Sequence, residues 1–163
     1  MPVCIKCKKK TDLSQLEEID ENFICHSCLY RECKPFKIFP IGFVENQLER
    51  GGKIGLKGNK NQISKIHLFE TQQPFLYKLE DEKWINVVFY FHKNRKIRSI
   101  FNRGMDGKEV GIFASRTPDR LSRIGISNVE LIKIEHTTLF VKNLDAINGT
   151  PILDIKLGSK TKW

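Results

Sequence analysis

Four cysteines within the first 28 residues constrain this chain more than any other feature. They stand as Cys4-x2-Cys7 and Cys25-x2-Cys28, separated by 17 residues. Cysteines two residues apart let one tight turn aim two thiolates at one ion, and two such turns complete a tetrahedron. The spacer carries Leu16-Glu17-Glu18-Ile19, then polar Asp20-Glu21-Asn22, then Phe23-Ile24, which predicts two short strands and a turn. The expected unit is a zinc ribbon. A closed four-thiolate site folds its segment rather than doing chemistry, because about 30 residues cannot bury a sufficient core of their own. Two disulfides or an iron–sulfur cluster are the competing readings of the same spacing, and a reducing compartment disfavours the disulfides. His26 lies between two ligands and is expected to point outward, and Cys33 is a spare thiol.

The remainder is long enough for one domain. Apolar residues make up 40% of the 163, which suits a packed core. No run approaches the roughly 18 apolar residues of a membrane span, and residues 1–30 lack the apolar core of a signal peptide, so a cytoplasmic protein is expected. Charge is unevenly divided. Residues 1–34 hold six basic and six acidic side chains, whereas residues 35–163 hold 22 and 13 and so carry the whole excess of +9. A basic domain beside a neutral appendage favours a polyanionic partner.

Strand signals dominate that domain. Residues 36–44, FKIFPIGFV, read as an apolar strand interrupted at Pro40. The Gly- and Lys-rich stretch 45–61 predicts a mobile loop. Ile63 to Phe69 alternates loosely, and Phe75 to Leu79 suits a helical turn. Trp84 to His92 is nearly continuous in apolar and aromatic residues, which predicts a buried strand with both faces covered. Val129 to Ile134 and Thr138 to Val141 read as paired strands with His136 in the turn. A tight turn at Gly149-Thr150-Pro151 leads into an alternating strand.

Two stretches point to binding. In residues 93–103, Lys93, Arg95, Lys96, Arg98 and Arg103 interleave with Phe101, a pattern able to track phosphates and stack a base. In residues 110–127, an apolar run from Val110 to Ala114 reads as strand-like. Arg116, Pro118, Arg120 and Arg123 follow, and Gly125 closes the segment. Pro118 fixes its own φ and drives Thr117 towards extended geometry. Guanidinium groups on so rigid a loop suit an anionic ligand.

At these residues the chain resembles the TrmO family, also called TsaA-like or YaeB-like, whose pattern is GVFATRSPxRPNPIGLS followed by LDxxDGTPVLDIKPY. The matching stretches here are GIFASRTPDRLSRIGIS at 111–127 and LDAINGTPILDIK at 144–156, with VVFYFH at 87–92 standing for an apolar strand ending in Phe-His. The resemblance covers about residues 36–158. It implies a mainly β fold, a TrmO-like β-barrel at 35–158 with the ribbon at 1–34 and a loose tail at 159–163. It also implies an S-adenosylmethionine-dependent methyltransferase, usually dimeric, that methylates N6 of a modified adenosine beside a tRNA anticodon.

The implied cofactor contacts are His92, Arg116, Ile126 and the turn Ala146-Ile147-Asn148-Gly149. Arg116 would hold the carboxylate, and Ile126 and Ile147 would wall the adenine. Asp145 and Asp154 are the candidates for taking a proton. Lys93, Arg95, Lys96, Arg98, Arg103, Arg120 and Arg123 would face the tRNA or another RNA. Departures from the pattern fall near this cleft. The family's RPNP is RLSR, its DGTP is NGTP, its Pro-Arg-Gln loop element is not recognisable, and Trp84 stands where a histidine is usual. A non-catalytic RNA-binding or adaptor protein on the same fold is therefore the alternative expectation.

Overall fold

The structure is a computed structural model that describes residues 1–49, 62–93 and 96–160. Two compact units emerge. One joins residues 1–37 to residues 93–123, and the other joins 38–92 to the C-terminal stretch from 124. The expected boundary between residues 34 and 35 thus divides the chain differently from its units, because 93–123 clusters with the N-terminal segment. Most of the Gly/Lys-rich loop, and the last three residues of the tail, lie outside the described residues.

The larger unit is a closed antiparallel barrel. Its strands are β3 (Gly42–Glu45), β4 (Ile63–Leu68), β5 (Trp84–Tyr90), β8 (Ile124–Glu135), β9 (Thr138–Lys142) and β10 (Pro151–Leu157), paired around the circle as β10-β3-β4-β9-β8-β5. Period-2 alternation sends one row of side chains inward, and closure leaves no sheet edge. The lumen is filled by Ile66, Ile85, Val87, Val129, Leu139, Val141 and Ile152, each fully buried. β5 alternates strictly between buried and half-buried residues, so its outer side is not covered as the continuous apolar run predicts. Phe89 belongs to the buried row, and its ring meets that of Phe91 edge-on at 5.3 Å against the core.

The predicted strand at 36–44 shrinks to β3. Residues 36–41 are not strand, and Phe36 and Phe39 stand exposed. Gly42 explains where pairing starts. A Cβ there would meet the His67 carbonyl oxygen at 2.2 Å, so only glycine lets β3 approach β4. The predicted helical turn near Phe75 is a 3₁₀ helix at Glu70–Leu76. His136 sits in the β8–β9 turn at φ 56°, its Nε2 hydrogen-bonded to the Glu70 carboxylate at 2.8 Å, as a turn residue.

The smaller unit holds the cysteines. Its strands β1 (Leu16–Ile19) and β2 (Asn22–Cys25) form the expected hairpin, followed by the one-turn helix α1 (His26–Tyr30). A second hairpin pairs β6 (Ile100–Asn102) with β7 (Glu109–Gly111). The apolar run at 110–114 is mostly not strand. Ile112–Ala114 is a 3₁₀ turn that buries Ile112 and leaves Phe113 exposed. Short apolar runs carry too little periodicity to separate these outcomes.

Candidate functional site

In the smaller unit the four sulfurs converge, all within 4.8 Å of one another. The Sγ atoms of Cys4 and Cys28 are 3.9 Å apart, and those of Cys7 and Cys25 are 3.8 Å apart. A zinc–sulfur bond of about 2.3 Å gives a tetrahedral edge of about 3.8 Å, so the four thiols fit one such ion. The amides of Cys7 and Cys25 hold the Cys4 thiol down at about 6, while the neighbouring sulfurs, Cys25 first, push Cys28 up to about 12. All five cysteines are unbridged. His26 is half-buried and leans on Glu17 at 3.6 Å, away from ligand duty, and Cys33 is exposed.

The same unit carries most of the cationic residues singled out for RNA, and several are already engaged. Arg120 is a brace: its Nε donates to the Thr117 carbonyl at 2.9 Å and its Nη2 to the Ser115 carbonyl at 2.6 Å. Arg103 forks onto Asp106 and donates to the Ala114 carbonyl, and Asp106 is held below the usual carboxylate range by that guanidinium. Arg123 approaches Glu17 at 4.0 Å, and Lys96 approaches Glu21 at 3.8 Å. Arg116 is exposed and pairs with no acid among the described residues. Lys93 and Arg98 are exposed as well, and Arg95 lies outside the described residues. Arg103 and Arg120 together bond the carbonyls of Ala114, Ser115 and Thr117, and Phe113 is presented at 90% exposure.

In the barrel unit, His92 and the turn at 146–149 come together. Gly149 adopts φ +77°, and a Cβ built there would lie 3.9 Å from the His92 Nε2. The Asn148 amide donates to the Leu48 carbonyl and the Gly149 amide to the Val44 carbonyl. Both turn amides therefore face β3 and its following loop. Ile126, on β8 opposite Val88, is 61% exposed, an apolar surface suited to the face of a base. Its neighbour Ser127 accepts from the Asp145 amide at 3.3 Å, which ties β8 to the turn. Ala146 is buried and Ile147 half-buried. Asp154 lies on β10, with its carboxylate on the Lys156 ammonium at 2.6 Å.

One residue that organises this turn escapes sequence reasoning. Asn46 donates from Nδ2 to the Ala146 carbonyl at 2.9 Å and to Ser64 Oγ at 3.0 Å, while its own amide donates to Asn148 Oδ1. Partners about a hundred positions apart leave no local signal. The contact also explains one departure from the family pattern: asparagine at 148 keeps the side-chain oxygen that the Asn46 amide needs. Gly125 has a similarly direct cause, since a Cβ there would meet the Phe89 ring at 2.5 Å and Phe91 at 2.8 Å.

A closed six-stranded barrel with these motif residues at its strand ends is a TrmO-type barrel. The solved structure of TrmO from Pseudomonas aeruginosa superposes with a TM-score of 0.62 at 25% identity, over 77% of this chain and 57% of that one. Residues 53–159 match the tRNA-methyltransferase O N-terminal domain, and the chain belongs to the TrmO family. The S-adenosyl-L-methionine-binding protein of Archaeoglobus fulgidus is 30% identical over 118 residues, covering 72% of this chain and 85% of the relative. The tRNA (adenine(37)-N6)-methyltransferase of Mus musculus is 29% identical over 128 residues, and the match takes in 29% of that enzyme. The chain thus spans less than two thirds of the solved bacterial protein and of the mouse enzyme. Among the described residues no helix is long and apolar enough to cross a membrane.

Proposed function

We propose that the chain is an S-adenosylmethionine-dependent tRNA methyltransferase that methylates N6 of a modified adenosine beside the anticodon. The observation that carries this is the approach of His92 to the Gly149 turn in a member of this family. The cofactor supplies an electrophilic methyl group on a sulfonium. The chain supplies position, which is the larger contribution when no covalent step on the protein is required. Ile126 and Ile147 offer apolar walls to the adenine and His92 backs the turn, while the candidate for the amino-acid carboxylate carried over from the family resemblance is Arg116, which pairs with no acid among the described residues. Asp145 and Asp154 are the two candidates for receiving the proton of the substrate nitrogen, and Asp154 holds the Lys156 ammonium at 2.6 Å. Zinc on Cys4, Cys7, Cys25 and Cys28 is the structural metal of this reading, and the working form is a homodimer.

Calorimetry tests the cofactor. Saturable binding of S-adenosylmethionine is expected, weakened roughly tenfold by Arg116→Ala, the loss of about one charge-assisted hydrogen bond. Absence of binding at high concentration favours an adaptor on the same fold. Methyl transfer is then read by nuclease digestion and mass spectrometry of tRNA from cells, against an unmodified transcript as the negative control.

The RNA contacts have their own signature. Lys96→Ala and Arg98→Ala are expected to weaken tRNA binding about equally across sequences, and each to flatten the salt dependence by roughly one counterion. Unchanged slopes in a filter-binding series between low and physiological salt would leave this segment as a solvated surface.

A further inference from the structure

We propose that the tip of the cysteine hairpin is a positioning element for the substrate-binding segment, with Asp20 as its key residue, so that metal loading and tRNA binding are coupled. The inference rests on the function proposed above, because it takes residues 96–123 to be the part that meets substrate.

The hairpin turns at Asp20-Glu21, where both residues adopt positive φ, 48° and 63°, without a glycine. Positive φ is unfavourable for a non-glycine residue and persists only where surroundings hold it. Here they do. The Asp20 amide donates to the Ile97 carbonyl at 3.1 Å, and Ile19 forms a parallel bridge with Ile97. One Asp20 carboxylate oxygen accepts the Ser99 amide at 3.0 Å and the other accepts the Ser99 hydroxyl at 2.5 Å. Ile97 is buried, and the Ser99 carbonyl in turn accepts the Ile112 amide at 2.9 Å. The Arg98 amide donates to the Asp119 carbonyl at 3.2 Å. A continuous set of bonds therefore runs from the hairpin tip to residues 96–99, and from there into the loop that carries Phe113 and Arg116.

The ends of this set have different chemistry. The hairpin owes its order to four thiolates around one ion, since its buried cluster is only Cys4, Leu16 and Cys25 with Phe23 and Ile24 against it. Residues 96–103 lie between one short hairpin and a braced loop with few apolar contacts, the kind of segment whose local opening is easy. Anchoring it in advance lowers the ordering cost of binding a flexible polyanion. On this reading the ribbon acts within the chain, by holding Lys96 and Arg98 in register, and Asp20 reaches substrate only through Ser99.

The test uses the full-length, zinc-loaded protein. Asp20→Ala is expected to keep a full complement of zinc, lose amide protection at 97–101 and 112–119 in hydrogen exchange, and weaken tRNA binding roughly tenfold, because the variant must order the segment on binding. Asp20→Asn keeps a side-chain acceptor and tolerates positive φ, so it is expected to recover most of both readouts. In turnover, KM for tRNA should rise while kcat changes little. Chelation should remove protection at the same amides. The proposal is overturned if zinc-loaded Asp20→Ala keeps parental protection at 97–101, or if it loses that protection while its tRNA affinity stays parental. Should Asp20→Ala fail to hold zinc, Ser99→Ala provides the same two readouts from the other side of the contact. Should the parent protein bind no tRNA, the proposed function fails, and the exchange data still decide whether the hairpin orders the segment.

Discussion

Cys25→Ser is expected to abolish metal binding and unfold the N-terminal hairpin while the barrel stays folded. Native mass spectrometry should fall from one zinc per chain to none. Apparent zinc binding in such small sites is worth about 10 kcal/mol or more, far beyond what a hairpin with so small a buried cluster can replace. Cys25 is nearly buried and its amide donates to Cys4 Sγ at 3.4 Å, so serine removes a ligand and disturbs the turn that carries another. Among the described residues the barrel has its own core of 14 buried side chains, so its cooperative unfolding should survive. A serine variant with full zinc, or one without zinc whose hairpin amides stay protected, would end the assignment of this cluster as a structural metal site.

Gly42→Ala is expected to destabilise the barrel by roughly 3 kcal/mol or more, because overpacking against backbone cannot be relieved by a rotamer change. The added carbon would stand 2.2 Å from the His67 carbonyl oxygen and 2.8 Å from the Leu68 Cα, both in β4. Gly42 also pairs with Ile152, so moving β3 away from β4 disturbs the β10 seam on its other side. Urea denaturation followed by Trp84 fluorescence should show the lowered midpoint. Gly111→Ala is the matched control, since its added carbon meets nothing closer than the Ser99 carbonyl at 3.9 Å. Equal midpoints for the two variants would refute the steric account.

The comparison of these two glycines shows what sequence can reveal. Both look alike as letters, and only one sits where strands close. The cysteine hairpin was legible because metal geometry demands fixed spacing, and β5, β9 and β10 because their apolar patterns exceed the reach of turns. The family motifs brought His92 and the 146–149 turn into view. What stayed hidden was carried by long-range polar contacts. Asp20 meets Ser99 across 79 positions, and Asn46 meets Ala146 across 100, with no periodicity to announce either. Arg120 read as a cation for RNA and stands as a brace on carbonyls, because a guanidinium suits either role and only the local backbone decides. Phe113 read as a strand interior, yet its ring faces solvent, since a 3₁₀ turn replaces the pleat that would have buried it.

The register of β5 against β8 has a further consequence. Tyr90 lies directly opposite Ile124, so residues 93–123, which belong to the smaller unit, are spliced between neighbouring positions on adjacent barrel strands. Topologically that whole stretch is an excursion inserted into a hairpin. The chain entropy of closing such a detour grows only logarithmically, about 0.6 kcal/mol for each doubling of its length. A two-residue Asn-Gly turn in its place would still satisfy every ladder bond between β5 and β8. The excursion can therefore lengthen, shorten or change its sequence over evolution with almost no thermodynamic penalty to the barrel, which leaves recognition free to diverge on a scaffold that does not register the change.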